Sequence, residues 1–315
     1  MQVVVLAGGL SPEREVSLRS GRRVAEALRT SDTSIEVTER DVDATLIQQL
    51  SEQPPACVIP LLHGTAGEDG ALRDVLQALR IPFVGSSAAA ARLAFDKPIA
   101  KTIVGIAGIP SPDAIALPHS TFRELGATAV LDAVVASLGL PIIVKPTKGG
   151  SALGAAVVRE PADLPAAMVG SFAYSDVALM ERLVVGTEIA VSVYESNGVV
   201  ISLPPVEIVP PDGIYHYNAR YTAGMTEFFI PARLPQSVLD QCATLALLAH
   251  QSLGLRDWSR TDLIVDAEGT PWFLEVNAAP GMTETSLFPQ ALAAAGIPLG
   301  ELTGQLVRTA IKRGA

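Results

Sequence analysis

The sequence predicts a mixed α/β protein, in parts α+β, in which an N-terminal Rossmann-like parallel-sheet unit is followed by antiparallel hairpins. Two observations carry this. Short, continuously apolar runs at 3–7 and 56–62 end in glycine-bearing loops and lead into helical patterns through residue 28 and over 71–79. From residue 142 onward, strand patterns come in pairs around turn chemistry: 142–145 with 154–158, 177–185 with 188–194, and 261–265 with 271–276.

Size and charge bound the function. A chain of 315 residues, 49% hydrophobic and 18% charged, can bury more than one core and suggests two or three domains. Its formal charge, 23 minus 33 or −10, argues against a broad basic surface for nucleic acid and leaves anionic substrates to local cationic pockets. Cys57 and Cys242 lack redox or zinc spacing, which makes them buried small hydrophobes and fits a reducing cytoplasm. No basic leader precedes the first strand, and no apolar run nears the roughly 20 residues of a membrane span. A cytoplasmic protein without membrane partners is expected.

The first strand ends in Gly8-Gly9, and Glu13 follows where a strand's C-terminal end presents its site. Glu13 is placed either to hold an ammonium group or to cap the helix. His63-Gly64 and Gly67-Glu68-Asp69-Gly70 repeat the pattern; there Glu68 and Asp69 can simply complement a helix dipole, and a lone loop histidine is more often structural. Residues 81–85 read as a third strand, and composition changes near Phe95-Asp96-Lys97, where a first boundary falls. Lys97 and Lys101 open a helix that stops before Ile109-Pro110-Ser111-Pro112, and a strand follows near 113–117. The loop 146–152 carries Lys148-Gly149-Gly150-Ser151, whose N–H groups can face phosphate while Lys145 supplies charge, although it is not the Walker pattern. Residues 204–226, with Tyr215-His216-Tyr217 and Arg220-Tyr221, read as a long loop, functional or merely ordered. Helical spacing returns over 238–253 and 302–311.

The stretch 260–287 concentrates the chemistry. With the turn centred between Glu268 and Gly269, Asp262 lies opposite Glu275 and Leu263 opposite Leu274. Glu275, Asn277 and Asp262 then share one face, while Leu263, Val265, Trp272, Leu274 and Val276 take the other. Two carboxylates and an amide oxygen are hard ligands of the kind Mg2+ uses beside phosphates, ahead of Ca2+. The competing reading is an acidic face that is only solvated.

Several motifs, taken in order and spacing, give the chain a family resemblance. Gly8-Gly9-x-Ser11-x-Glu13-x-Glu15-Val16-Ser17, His63-Gly64 with Gly67-Glu68-Asp69-Gly70, and Glu275-Val276-Asn277-x-x-Pro280-Gly281-Met282-Thr283 stand with Asp96-Lys97, Lys145-Pro146, Gly150-Ser151 and Arg220-Tyr221 between them. In these the chain resembles the D-alanine–D-alanine ligases nearly end to end. The resemblance implies a three-domain ATP-grasp fold: 1–95 binding substrate, 96–180 central, and 181–315 catalytic, with ATP between the last two. It further implies ATP and Mg2+, with Mn2+ as the substitute ion, D-alanine as substrate, and a homodimer. Phosphorylation of one D-alanine carboxylate would precede attack by the amine of a second.

By position, Asp262, Glu275 and Asn277 match the family's magnesium ligands. Lys97 and Lys145 match its phosphate-contacting lysines, and Glu181 and Glu188 its adenine and ribose region. Glu13 matches the residue holding the first substrate's ammonium, with Ser151 and Tyr221 as its hydrogen-bonding partners. Arg260 and the Gly281 backbone match groups that stabilise developing charge. Ser286 and Arg220 match the second substrate's carboxylate site, with His63 beside the amine. The chain departs from the pattern at Gly149 and Ala152 in the phosphate loop, Arg220 in place of lysine, Arg73 in place of glutamine, and Ala278 in place of threonine. The alternatives are a paralogue joining other D-amino acids and an ATP-binding regulator without chemistry; Tyr221 favours an amine acceptor over a hydroxy acid.

Overall fold

The computed structural model describes residues 1–315 apart from 212–214, 216–218, 221 and 223. Among the described residues the strands form three sheets. The first contains β1 (Gln2–Leu6), β2 (Glu36–Arg40) and β3 (Cys57–Pro60), all parallel in the order β2-β1-β3. Val3, Val4, Val5 and Leu6 are all buried, as a strand covered on both faces requires. The helix Arg14–Ser31 lays Val16, Ser20, Val24 and Leu28 inward at helical spacing. The expected strand at 81–85 reduces to a single bridge between Phe83 and Val58, and 36–40, too polar to announce itself, is a strand instead.

The second sheet contains β4 (Ala114–Pro118), β5 (Ile142–Pro146), β6 (Ala156–Val158) and β7 (Val177–Arg182), antiparallel in the order β4-β7-β5-β6. The third contains β8 (Thr187–Ser196), β9 (Val199–Ser202), β10 (Val206–Val209), β11 (Glu227–Phe229), β12 (Trp258–Val265) and β13 (Pro271–Asn277). Its order is β11-β10-β8-β12-β13, with β9 also on β8. Because β10 lies at 206–209, the long loop begins later than residue 204.

Helices connect the sheets. Ala88–Phe95 and Lys97–Ile106 meet at Asp96, whose carboxylate accepts the Ile99 N–H at 3.4 Å. Their Ala90, Ala94, Ala100 and Val104 pack into one core with Ile189, Val191, Leu263 and Phe273 of the third sheet. The last helix, Leu299–Arg313, returns to Arg14–Ser31, and a Cβ at Gly300 would stand 2.2 Å from the Ala27 carbonyl oxygen, so only glycine permits this approach. Cys57 and Cys242 are both buried, and burial pushes their thiols up to about 12 and about 11. Among the described residues no helix is long and apolar enough to cross a membrane.

Asp257 joins chain segments far apart in sequence. Its buried carboxylate accepts the Gly85 N–H at 2.6 Å and both Arg313 Nη groups at 2.9 Å, while Arg313 also donates to the Phe83 carbonyl at 3.1 Å. Removing one partner of a buried pair strands the other. Asp257→Ala is expected to lower the unfolding free energy by about 3 kcal/mol, read from urea denaturation, with substrate constants measured on the folded fraction little changed.

Candidate active site

The hairpin β12–β13 places the acidic residues. Asp262 pairs with Glu275, as the sequence predicts, and Arg260 with Asn277, but the register then shifts and Leu263 pairs with Phe273. Leu274 is therefore the extra residue of a β-bulge. The expected faces are corrected accordingly: Phe273 joins Leu263, Val265 and Val276 in the core, while Trp272 and Leu274 are only partly buried. A strict two-residue alternation cannot register an inserted residue, so only the half of the hairpin beyond the bulge departs from the prediction.

Arg260 holds Asp262 with two bonds, Nε to Oδ1 at 2.7 Å and Nη2 to Oδ2 at 2.8 Å. Glu275 lies 3.1 Å from Lys97 Nζ. Burial alone would raise the Glu275 carboxyl, but Lys97, Lys145 and Arg220 outweigh it and hold it at about 2. Asn277 Oδ1 accepts the Ala279 N–H at 2.8 Å. Glu188, on β8 and near these carboxylates, is raised by burial to about 7 against the pull of Arg220.

Across from this hairpin, Lys97 Nζ also donates to the Gly149 carbonyl at 2.8 Å, tying the glycine-rich loop to Glu275. Lys145 and Glu181 lie on paired strands β5 and β7 and form a buried ion pair. Glu181 thus meets a lysine on each of its oxygens, Lys145 and Lys101, the latter at 2.5 Å. Burial opposes its ionisation, yet the two ammonium groups keep its carboxyl below the usual range.

Of the two readings of Glu13, the helix cap is not made. Glu13 stands at the N-cap of Arg14–Ser31 but makes no capping bond; its carboxylate accepts the Ser151 hydroxyl hydrogen bond from the glycine-rich loop. Gly64, at φ +69°, lies against it, and a Cβ there would come 2.9 Å from Glu13 Oε2. Ser151 itself is held in the left-handed region at φ +56°. His63 is buried beside Ser20 Oγ at 3.3 Å, and Ser20 Oγ accepts the Met282 N–H at 3.0 Å next to Gly281. Burial lowers the His63 pKa, against the pull of Glu13, which favours the neutral imidazole. Ser286 Oγ accepts the Thr283 N–H at 3.0 Å at the head of the helix Leu287–Ala294. Arg220 Nε donates to the Tyr215 carbonyl at 3.0 Å, its guanidinium over the Tyr215 ring.

One cavity is lined by Glu13, His63, Ser151, Gly281 and Ser286, and by Lys97, Arg220, Arg260, Glu275 and Asn277. Lys145, Glu181, Glu188 and Asp262 lie outside that lining, and Tyr221 lies outside the described residues. Of the departures, Arg73 is buried and donates to the Gly67 carbonyl, burial lowering it to about 10, and Ala278 is buried. Ser20 goes unnamed in the sequence reading and Lys101 is named there without a role; the signal lies in a polar residue on the inward face of a helix and in a second lysine one turn after Lys97.

A fold that sets Lys97 of a connecting helix, and Lys145 and a glycine-rich loop of one antiparallel sheet, against the acidic hairpin of another defines an ATP-grasp protein. The comparisons then narrow the class. The family model for the D-ala D-ala ligase C-terminus matches residues 103–308. The D-alanine–D-alanine ligase of Pelotomaculum thermopropionicum is 38% identical over 312 residues, 99% of this chain and 97% of the relative. Two solved structures superpose along the chain: the D-alanine–D-alanine ligase of Bacillus anthracis complexed with ATP (TM-score 0.81, 25% identity, 99% and 98% covered) and the VanG D-Ala:D-Ser ligase of Enterococcus faecalis (0.84, 25%, 98% and 99%). The chain belongs to the D-alanine–D-alanine ligase family.

Glu68 yields a prediction of its own. Its Oε1 accepts the Gly64 N–H at 2.9 Å, and burial, reinforced by Glu13, raises its carboxyl to about 8. The native state therefore holds a proton that the unfolded chain releases near 4.5, and stability is lost as pH rises through about 8. Glu68→Gln should flatten this slope: thermal midpoints of wild type and variant are expected to converge at pH 5 and to separate, with the variant higher, at pH 8.5.

Proposed function

We propose that the protein joins two D-alanines into D-alanyl-D-alanine, a peptidoglycan precursor, with ATP cleaved to ADP and phosphate. The observation carrying this reading is that the Glu13–Ser151 pair shares one cavity with Arg260, Glu275 and the Gly281 backbone. Glu13 binds the ammonium of the first D-alanine and turns its carboxylate toward the γ-phosphate. The carboxylate oxygen bonds to phosphorus as ADP leaves. Lys97 and Lys145 bind the polyphosphate, with Glu181 and Glu188 toward the adenosine. Arg260 and the Gly281 N–H stabilise negative charge on the acyl phosphate and the tetrahedral adduct. Arg220 and Ser286 receive the carboxylate of the second D-alanine. Its amine, once deprotonated, attacks the acyl carbon, and phosphate departs with the former carboxylate oxygen. Neutral His63, beside this position, accepts the amine proton. Tyr221 belongs to the loop that excludes water from the acyl phosphate.

A divalent cation fits the donor set. Among the described residues no three His, Cys, Asp or Glu side chains are grouped for a metal, but Asp262, Glu275 and the Asn277 amide offer hard oxygens, and Glu275 stays ionised. These residues would hold Mg2+, or Mn2+ in its place, beside the phosphates, where the ion would supply charge neutralisation. A homodimer working in the cytoplasm completes the proposal. The second reading, another D-amino acid as acceptor, is favoured by Arg220 in the lysine position and by the similarity to a D-Ala:D-Ser ligase.

Phosphate release with ATP, Mg2+ and D-alanine, alongside L-alanine and mixtures of D-alanine with D-serine or D-lactate, tests both readings. Release with D-alanine alone, giving the dipeptide by mass, is expected; turnover only with D-serine present would favour the second, and no turnover at all would leave a nucleotide-binding regulator. Arg260→Met is expected to lower kcat at least 100-fold while the KM for ATP moves less than fivefold.

A further inference from the structure

Lys101 does not line the cavity, and neither do its partners Glu181 and Phe273, yet these adjoin Lys145 and Glu275 of the proposed nucleotide site. It follows Lys97 by one helical turn and so faces the same side. Its Nζ lies 2.5 Å from Glu181 Oε1 on β7 and 3.1 Å from the Phe273 carbonyl oxygen on β13, with the Phe273 ring centroid at 5.9 Å. One ammonium thus bridges the central sheet and the third sheet. Phe273 is the residue before the bulged Leu274, so this bond fixes the backbone that aims Glu275.

The charge count along this chain of contacts gives the bridge its meaning. Lys97, Lys101 and Lys145 face Glu181 and Glu275, three positive charges against two negative. Glu181 is shared: one oxygen meets Lys101, the other Lys145. Without Lys101 the count falls to two against two, and Glu181 would bind Lys145 alone, leaving that ammonium less attraction for a polyphosphate.

We propose that Lys101 is a positioning residue for nucleotide binding, which shares the charge of Glu181 so that Lys145, paired with the same carboxylate, keeps net attraction for phosphate, and which anchors the β-bulge that aims Glu275. This rests on the nucleotide reading above but not on the identity of the amino acids. Lys101 touches neither substrate; it acts through Glu181, Lys145 and the Phe273 carbonyl. An arginine, which also offers several donors to two acceptors, serves in part.

The test is calorimetric titration of the full chain with Mg·ATP, beside steady-state constants for D-alanine and circular dichroism for folding. Lys101→Met is expected to weaken Mg·ATP binding at least tenfold and to leave the KM for D-alanine within threefold, with Lys101→Arg recovering most of the loss. Lys101→Gln carries the same expectation should the methionine variant not fold. A folded neutral variant that binds Mg·ATP like wild type overturns the proposal, as does equal loss toward both substrates or failure of both neutral variants to fold, which would make Lys101 a core residue only. No Mg·ATP binding by the wild-type protein would instead overturn the nucleotide reading itself.

Discussion

Charges buried between two sheets are the constraint on which this architecture depends. Lys97 with Glu275, and Lys101 with Glu181 and Lys145, place ammonium and carboxylate groups where solvent is largely removed. Each such group is costly unless its partner is in place. The partners come from different elements: the helix Lys97–Ile106, strands β5 and β7, and strand β13. The two sheets can therefore pack as they do only in the register that brings these charges together. The same residues that specify the packing leave a net positive wall facing the carboxylates of the hairpin, which is the electrostatic shape a polyphosphate with a divalent cation requires.

Much of this was legible in the sequence because local chemistry announced it. The opposition of Asp262 and Glu275 follows from counting residues out from a turn, and the parallel unit from apolar runs ending in glycine. What was not legible depends on contacts across the chain. No periodicity marks Leu274 as an inserted residue; the Lys101 bond to the Phe273 carbonyl accompanies it, 172 residues away. The strand Glu36–Arg40 is polar because only one of its neighbours is a strand, β1, and burial at this edge is partial. Nothing within 81–85 distinguishes a paired strand from a segment that touches β3 at one bridge.

The candidate site divides along the same line. Glu13 could be nominated from its place after the first strand, but only the fold brings it to Ser151, from a loop 138 residues later, in preference to capping its own helix. Glu181 could be placed on a strand beside a turn, but its role as the carboxylate between two lysines appears only once β5 and β7 are paired. The cavity thus joins a first sheet that brings Glu13 and His63 with a hairpin that brings Glu275 and Asn277, and neither half holds a complete set of groups for ligation.

In the proposed reaction a carboxylate is activated by phosphorylation in this cleft and captured there by an amine. Turnover of D-alanine carrying oxygen-18 in its carboxylate tests it most directly, with the released phosphate analysed by mass. One labelled oxygen is expected in each phosphate released, because the carboxylate oxygen that attacks phosphorus leaves with it. Unlabelled phosphate formed together with dipeptide would contradict an acyl phosphate and require another route of activation.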